Sequence, residues 1–183
     1  MRTFAKVIAT AIFFAGSLRV VHATEVEYKA LPNFGLAAGV RFPLESLVDP
    51  GGSEISADRL LGKAVLINFY TKYCAPCIKE VPKLNRVMER RSDINVLAIT
   101  PDGRADAQSY VKQYGLNWPV AADAAALLSK RLNVEAFPGF ALLDAKGRLL
   151  ATVYANQLGG DDGHATVEGI EAWLNAQLRK AAK

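Results

Sequence analysis

Two cysteines, Cys74 and Cys77, are the only thiols in the 183-residue chain, and they stand two residues apart in "TKYCAPCIKEVPKL" (71–84). A structural cross-link stabilises most when it closes a long loop, and this pair would close about the shortest loop possible. The spacing suits chemistry better than stapling: two thiols that reach each other can pass between dithiol and disulfide. A zinc site is the other use of such a pair, but tetrahedral structural zinc takes four ligands, and no second Cys or His pair exists.

The elements around the pair assign each thiol a part. "AVLINFYT" (64–71) is a nearly continuous β-branched and aromatic run, the pattern of a strand buried on both faces. From Ala75 the period changes, and Val81, Leu84 and Met88 recur at three and four as one buried helical stripe. The pair thus lies where a strand passes into a helix. Cys74 falls at the helix N-terminus, where unpaired N–H groups and the helix dipole favour a thiolate, the form that attacks disulfides. Cys77, one turn on, is expected deeper. Cys74 then opens a partner disulfide to give a mixed disulfide, and Cys77 attacks Cys74 to release the reduced product. Pro76 suits the first turn, where its missing N–H has no intrahelical partner to lose.

Further along, "INVLAIT" (94–100) reads as a second buried strand and "ADAQSYVKQYG" (105–115) as a helix capped by Gly115. "DAAALLSKRLNV" (123–134) reads as a helix with Asp123 as N-cap. "GFALLDAKGRLLATVYA" (139–155) is two strands joined at Lys146-Gly147, and Val167, Ile170, Leu174 and Leu178 mark a last helix before the basic "RKAAK" tail. Residues 24–40 read as an extended arm, and "RFPLESLVDPGGSEIS" (41–56) as a β-hairpin around the turn cluster "DPGG". The order strand, helix, strand, helix, helix, hairpin, helix predicts an α/β fold with a mixed sheet and helices on both faces.

The first residues speak to the compartment. Arg2 and Lys6 precede an apolar run over 7–18, and "VHA" (21–23) offers small residues for cleavage, so residues 1–23 are expected to be a signal peptide. The run is shorter than the roughly 20 residues of a membrane-spanning helix. An uncleaved anchor is the alternative, and Arg19 makes extending the span costly. Three of the 22 lysines and arginines lie in this leader and none of the 18 acids, which leaves 19 bases against 18 acids. That balance gives no reason to expect a nucleic-acid partner. Residues 41–183 suit one domain with a real core.

"LINFYTKYCAPCIKEVPKLNRV", followed some sixty residues on by "VEAFPGFALLDAKGRLL", resembles the thioredoxin superfamily, and within it the TlpA/ResA-like exported thiol–disulfide oxidoreductases. The similarity runs from about Phe42 to the C-terminal helix. The resemblance implies a thioredoxin-like fold with an N-terminal hairpin, no cofactor, and a cis Pro138 beside the disulfide, where neighbouring backbone binds a partner's extended segment. It places Glu80, three residues after Cys77, near the active site as an acid that can receive the Cys77 proton. Pro82 falls where the family kinks the helix, and Asn68 where cytosolic thioredoxins carry a buried Asp. Tyr73 before the first cysteine and Phe137 before Pro138 depart from the family pattern. With Pro76 and Pro138 they are the candidate partner-binding residues. The resemblance further implies disulfide-containing exported partners, such as apocytochrome c or copper-site cysteines, and a membrane thiol donor resembling DsbD/CcdA.

Three other uses of the pair compete with a reductase: a general disulfide oxidant or isomerase resembling DsbA, a copper-binding chaperone with both thiolates as soft Cu(I) ligands, and a peroxidase. The first usually carries a long helical insertion, for which Thr100–Val134 is short. Few Met and His residues speak against the second, and the PxxxTxxC context of the third is absent. His164, near Asp161 and Asp162, reads as loop rather than metal ligand. Trp118, Tyr110 and Tyr114 read as packing residues.

Overall fold

The computed structural model describes residues 26–45, 47–159 and 163–183. The expected signal peptide, Asp161 and Asp162 lie outside the described residues.

Five strands form one mixed sheet: β1 (Ala64–Phe69), β2 (Ile94–Ile99), β3 (Val120–Ala121), β4 (Gly139–Leu143) and β5 (Leu149–Tyr154), in the order β3-β2-β1-β4-β5. β1 runs parallel to β2 from Ala64↔Ile94 to Phe69↔Ile99 and antiparallel to β4 from Val65↔Leu143 to Phe69↔Gly139. It is therefore central, and Val65 through Phe69 are all buried, as its unbroken apolar run requires. β3 was not legible in the sequence: two residues suffice because Ala98↔Val120 and Ile99↔Ala121 pair in parallel at the sheet edge. The β4–β5 turn is built by Asp144, whose Oδ1 accepts the N–H groups of Lys146 and Arg148, with Gly147 at φ 79°.

Strand alternation divides the core into two layers. Leu66, Tyr70, Val96, Phe140 and Val153 face α2 (Ala75–Arg90), α3 (Arg104–Tyr114) and α4 (Val167–Ala181). Ile67, Phe69, Ile99 and Ala141 face Phe42, Leu44, Leu60 of the short α1 (Ala57–Leu60), Leu128 and Leu132. In α2 the buried stripe is Val81, Leu84 and Val87, with Met88 only half-buried at its rim.

Two expected elements are reduced. The helix proposed over 123–134 is helical only at 125–131, most of it a π-turn over Leu127–Arg131. Asp123 does not cap it: its backbone is left-handed at φ 54°, and its carboxylate faces Arg104 at 3.5 Å. The hairpin at 41–56 shrinks to one bridge, Val48↔Glu54, closed by Asp49 N–H to Ser53 C=O and Ile55 N–H to Leu47 C=O. Beyond it the chain is diverted to cover the sheet, with Phe42 and Leu44 buried. The arm runs beside β5: Leu31 N–H donates to Thr152 Oγ1, Gly39 N–H to Leu149 C=O, and Gln157 holds both backbone groups of Lys29. Gly35 N–H reaches Leu132 C=O in the second layer.

Candidate active site

β1 ends at Phe69, and after five intervening residues the chain enters α2 at Ala75. A turn closed by Cys74 N–H to Thr71 C=O makes the change of direction, and it leaves Cys74 extended (φ −85°, ψ 96°) as the N-cap of α2. Its Sγ accepts the Cys77 N–H at 3.2 Å, so the sulfur occupies the place that a Ser or Asp oxygen takes in a capped helix. Pro76, in the first turn, removes a donor there. The sulfurs are joined as a disulfide, with Cys74 half-buried and Cys77 only 3% exposed. A reagent thus meets Cys74 first, and Cys77 lies behind it.

Glu80 is on the same face of α2 as Cys77, three residues on, and is 1% exposed. Neither carboxyl oxygen has a hydrogen-bond partner among the described residues. Burial pushes this acid up to about 8 from the ordinary 4.5, against the smaller opposing pull of Lys83 and the Ala165 backbone. Lys83 itself donates to the Ala165 carbonyl at 2.6 Å. Tyr110 sits in the same layer, packed between the tilted rings of Tyr70 and Tyr114 with ring centres 4.6 and 4.7 Å away. Burial first, then its charged neighbours, holds the Tyr110 phenol above the usual tyrosine range. Asn68 is buried in β1, on the same face of the strand as Leu66 and Tyr70, and its Nδ2 has no partner among the described residues.

Pro138 follows Phe137 across a cis peptide bond and leads straight into β4, with its carbonyl accepting Ala155 N–H at 3.2 Å. Pro76, Glu80, Phe137, Pro138, Tyr154 and His164 line one groove of about 460 Å³. The structure thus brings together four sequence-derived candidates from segments some sixty residues apart. Tyr73 is not among the groove residues. It is 84% exposed, with the Lys72 ammonium 4.8 Å from its ring centre. Lys72 in turn pairs with Asp106 at 2.5 Å, and that hydrogen bond is the main cause holding its ammonium above the usual lysine range. Pro82 lies inside α2, where it offers no N–H to the preceding turn. Trp118 is buried in the core layer beneath α2 and α3.

His164 is a groove residue although its sequence context reads as loop; its Nε2 lies 3.4 Å from Lys79 Nζ. No group of three or more His, Cys, Asp or Glu able to hold a metal occurs among the described residues. A larger hollow of about 590 Å³ lies between the arm, β5 and α4, and none of the candidate residues lines it.

Residues 29–152 match the AhpC/TSA family, more than half of the chain. The thiol–disulfide oxidoreductase ResA of a Bacillus cereus strain is 30% identical over 139 residues, spanning 74% of this chain and 76% of that protein. Among solved structures, the thioredoxin domain of a thiol–disulfide oxidoreductase from Bacteroides vulgatus superposes with a TM-score of 0.60 at 23% identity, covering 76% of this chain and 99% of that one. A secreted disulfide oxidoreductase of Mycobacterium tuberculosis gives 0.55 at 23% identity, covering 73% and 93%. Those two likenesses carry the fold; the family match and the ResA relative carry the kinship. With a CxxC disulfide at a strand-to-helix junction of a thioredoxin-like sheet, the chain belongs to the AhpC/TSA family, among its thioredoxin-like thiol–disulfide oxidoreductases.

Proposed function

We propose that the protein is exported and works as a reductase of disulfides in specific partner proteins, cycling Cys74 and Cys77 between dithiol and disulfide. In the reducing direction the Cys74 thiolate attacks one sulfur of the partner disulfide. That bond breaks, a Cys74–partner disulfide forms, and the other partner sulfur leaves as a thiolate and takes a proton. Cys77, having given its proton to the ionised form of Glu80, attacks Cys74 Sγ; the mixed disulfide breaks and the second partner thiolate leaves. Two electrons have passed from the pair to the partner, and a thiol donor outside the chain must restore them.

The observation that carries this reading is the buried, unpaired carboxyl of Glu80 one turn from buried Cys77. Raising this acid to about 8 from the ordinary 4.5 makes it a stronger base when ionised, so taking the Cys77 proton costs less than it would for an ordinary carboxylate. Direction follows from the same burial. An apolar setting stabilises a Cys77 thiolate poorly, which disfavours the reduced pair and makes it a readier electron donor.

Export rests on the basic start, apolar run and "VHA" of residues 1–23, and no helix among the described residues is long and apolar enough to cross a membrane. Within that compartment, disulfide-bearing apocytochrome c or copper-site cysteines are the partner classes, and a membrane thiol donor resembling DsbD/CcdA is the source of electrons. The groove of Pro76, Phe137, Pro138 and Tyr154 supplies an apolar bed for an extended partner segment beside Cys74. Equilibration of the pair against thiol–disulfide buffers tests the direction: a reduction potential below about −220 mV is expected, and one near about −120 mV, as in strong oxidants, overturns it.

A further inference from the structure

Asp102 lies three residues beyond the end of β2, outside every motif described above, yet its carboxylate gathers three donors from two separate segments. Oδ1 accepts the Thr71 hydroxyl at 3.0 Å, and Oδ2 accepts the Lys72 backbone N–H at 2.6 Å and the Thr100 hydroxyl at 2.8 Å. Its own N–H returns to Thr100 Oγ1 at 3.2 Å, and its carbonyl accepts the Asp123 N–H at 2.9 Å. Thr100 is fully buried; its N–H donates to the Ala121 C=O at the end of β3, and its carbonyl accepts the Ala124 N–H just beyond. The Asp102 side chain therefore ties the carboxyl end of β1 to that of β2, and backbone bonds of Thr100 and Asp102 carry the tie on to β3, on the edge of the sheet where Cys74 emerges.

The bonds continue to the sulfur. Thr71, held through its hydroxyl, supplies the carbonyl that receives Cys74 N–H at 3.0 Å, and Cys74 Sγ then receives Cys77 N–H at 3.2 Å. We propose that Asp102 is a positioning residue for the attacking thiol: its carboxylate fixes the Thr71–Cys74 turn and so holds Cys74 against the amide groups that open α2. The proposal rests on the reading of Cys74 as the attacking group. An ionised carboxylate is an acceptor at both oxygens, which three converging donors require; an Asn would turn its NH2 toward one of them. Hydrogen bonds from an N–H or hydroxyl to a charged acceptor are also the stronger kind.

Two roles for Asp102 predict opposite signs. As a mere negative charge near Cys74 it would oppose the thiolate, so its removal would favour ionisation. As a clamp it delivers the sulfur to the helix terminus, so its removal hinders ionisation. The other titratable and charged groups around the turn are Lys72 with its partner Asp106, and Lys79, His164 and Glu80 on the α2 side; the test leaves them unchanged.

The experiment compares iodoacetamide alkylation of Cys74 across pH in Cys77→Ser protein, alone and with Asp102→Ala or Thr71→Val. Both additional substitutions are expected to move the alkylation midpoint upward. Below that midpoint Asp102→Ala slows alkylation about two- to fivefold, the factor matching about 0.3–1 kcal/mol of helix-terminus interaction, and Thr71→Val slows it less. Thr71→Val removes only one hydroxyl and keeps every charge, so it carries the test if Asp102→Ala fails to fold. A downward shift or an unchanged profile in the folded variants overturns the clamp. An oxidising potential for the wild-type pair would overturn the reductase reading instead, and leaves this comparison standing.

Discussion

Glu80→Gln converts the central claim about the site into a thermodynamic measurement. Burial holds the Glu80 acid at about 8 in the folded chain, whereas the unfolded chain ionises it near 4.5. Between those values the folded state keeps a proton that the unfolded state has released, so stability falls as pH rises. The contribution is fully present below pH 4.5 and lost as pH passes through 8. Each pH unit in that window is worth about 1.4 kcal/mol, giving a loss of about 3 kcal/mol at pH 7 and about 5 kcal/mol above pH 8. Gln has nearly the same shape and no titration, so the variant escapes the loss. Its amide brings two N–H donors into a site whose acid oxygens already lack partners, a cost of about 1–3 kcal/mol that does not vary with pH. Urea unfolding of both proteins, kept oxidised so that no thiol titrates, supplies the difference at pH 5, 7 and 9. The stability of the variant relative to wild type should rise by about 4 kcal/mol across that range. A difference that stays level within about 0.5 kcal/mol would mean that Glu80 ionises as an ordinary acid, and the proton-acceptor argument for Cys77 would go with it.

Three further outcomes follow from the geometry. Cys77→Ser should accumulate a disulfide between Cys74 and a model partner, visible by mass spectrometry under non-reducing conditions, while Cys74→Ser should not; equal trapping by both would reverse the assignment of the attacking thiol. Tyr73→Ala, at a ring 84% exposed, should raise KM for a protein disulfide by about fivefold, or about 1 kcal/mol. The thermal midpoint and the reduction potential should stay unchanged, and an unaltered KM would remove Tyr73 from the partner surface. Gly35→Ala would bring its new carbon against the Arg131 carbonyl where the arm joins the second layer, so a loss of about 2 kcal/mol or more is expected in calorimetry. A midpoint that does not move would show that the arm gives way there at no cost.

What could be read ahead of the structure was whatever is local or periodic. β1 announced itself because a strand covered on both faces has no polar alternation to hide in, and α2 because Val81 and Leu84 keep helical spacing. Glu80 was singled out by its match to the acid of the resembling family, and helical spacing then placed it one turn from Cys77. β3, the shortened helix after Asp123 and the single-bridge hairpin were not legible. Each is set by what lies across from it: Ala98 and Ile99 for β3, Thr100 and Asp102 for the Asp123 turn, the sheet face for Phe42 and Leu44. The same limit divides the site. A CxxC pair advertises itself within four residues, but an acid after a strand reads as an ordinary loop residue until the fold brings Thr71 to it from thirty-one residues away. Aligned parallel strands bring their carboxyl ends to one edge, where the first cysteine must emerge. A polar side chain on the neighbouring strand's exit is then the nearest group able to hold that turn in place. The useful sequence signal was therefore Asp102's place in the topology, at the end of the strand beside β1, since its local context carries none.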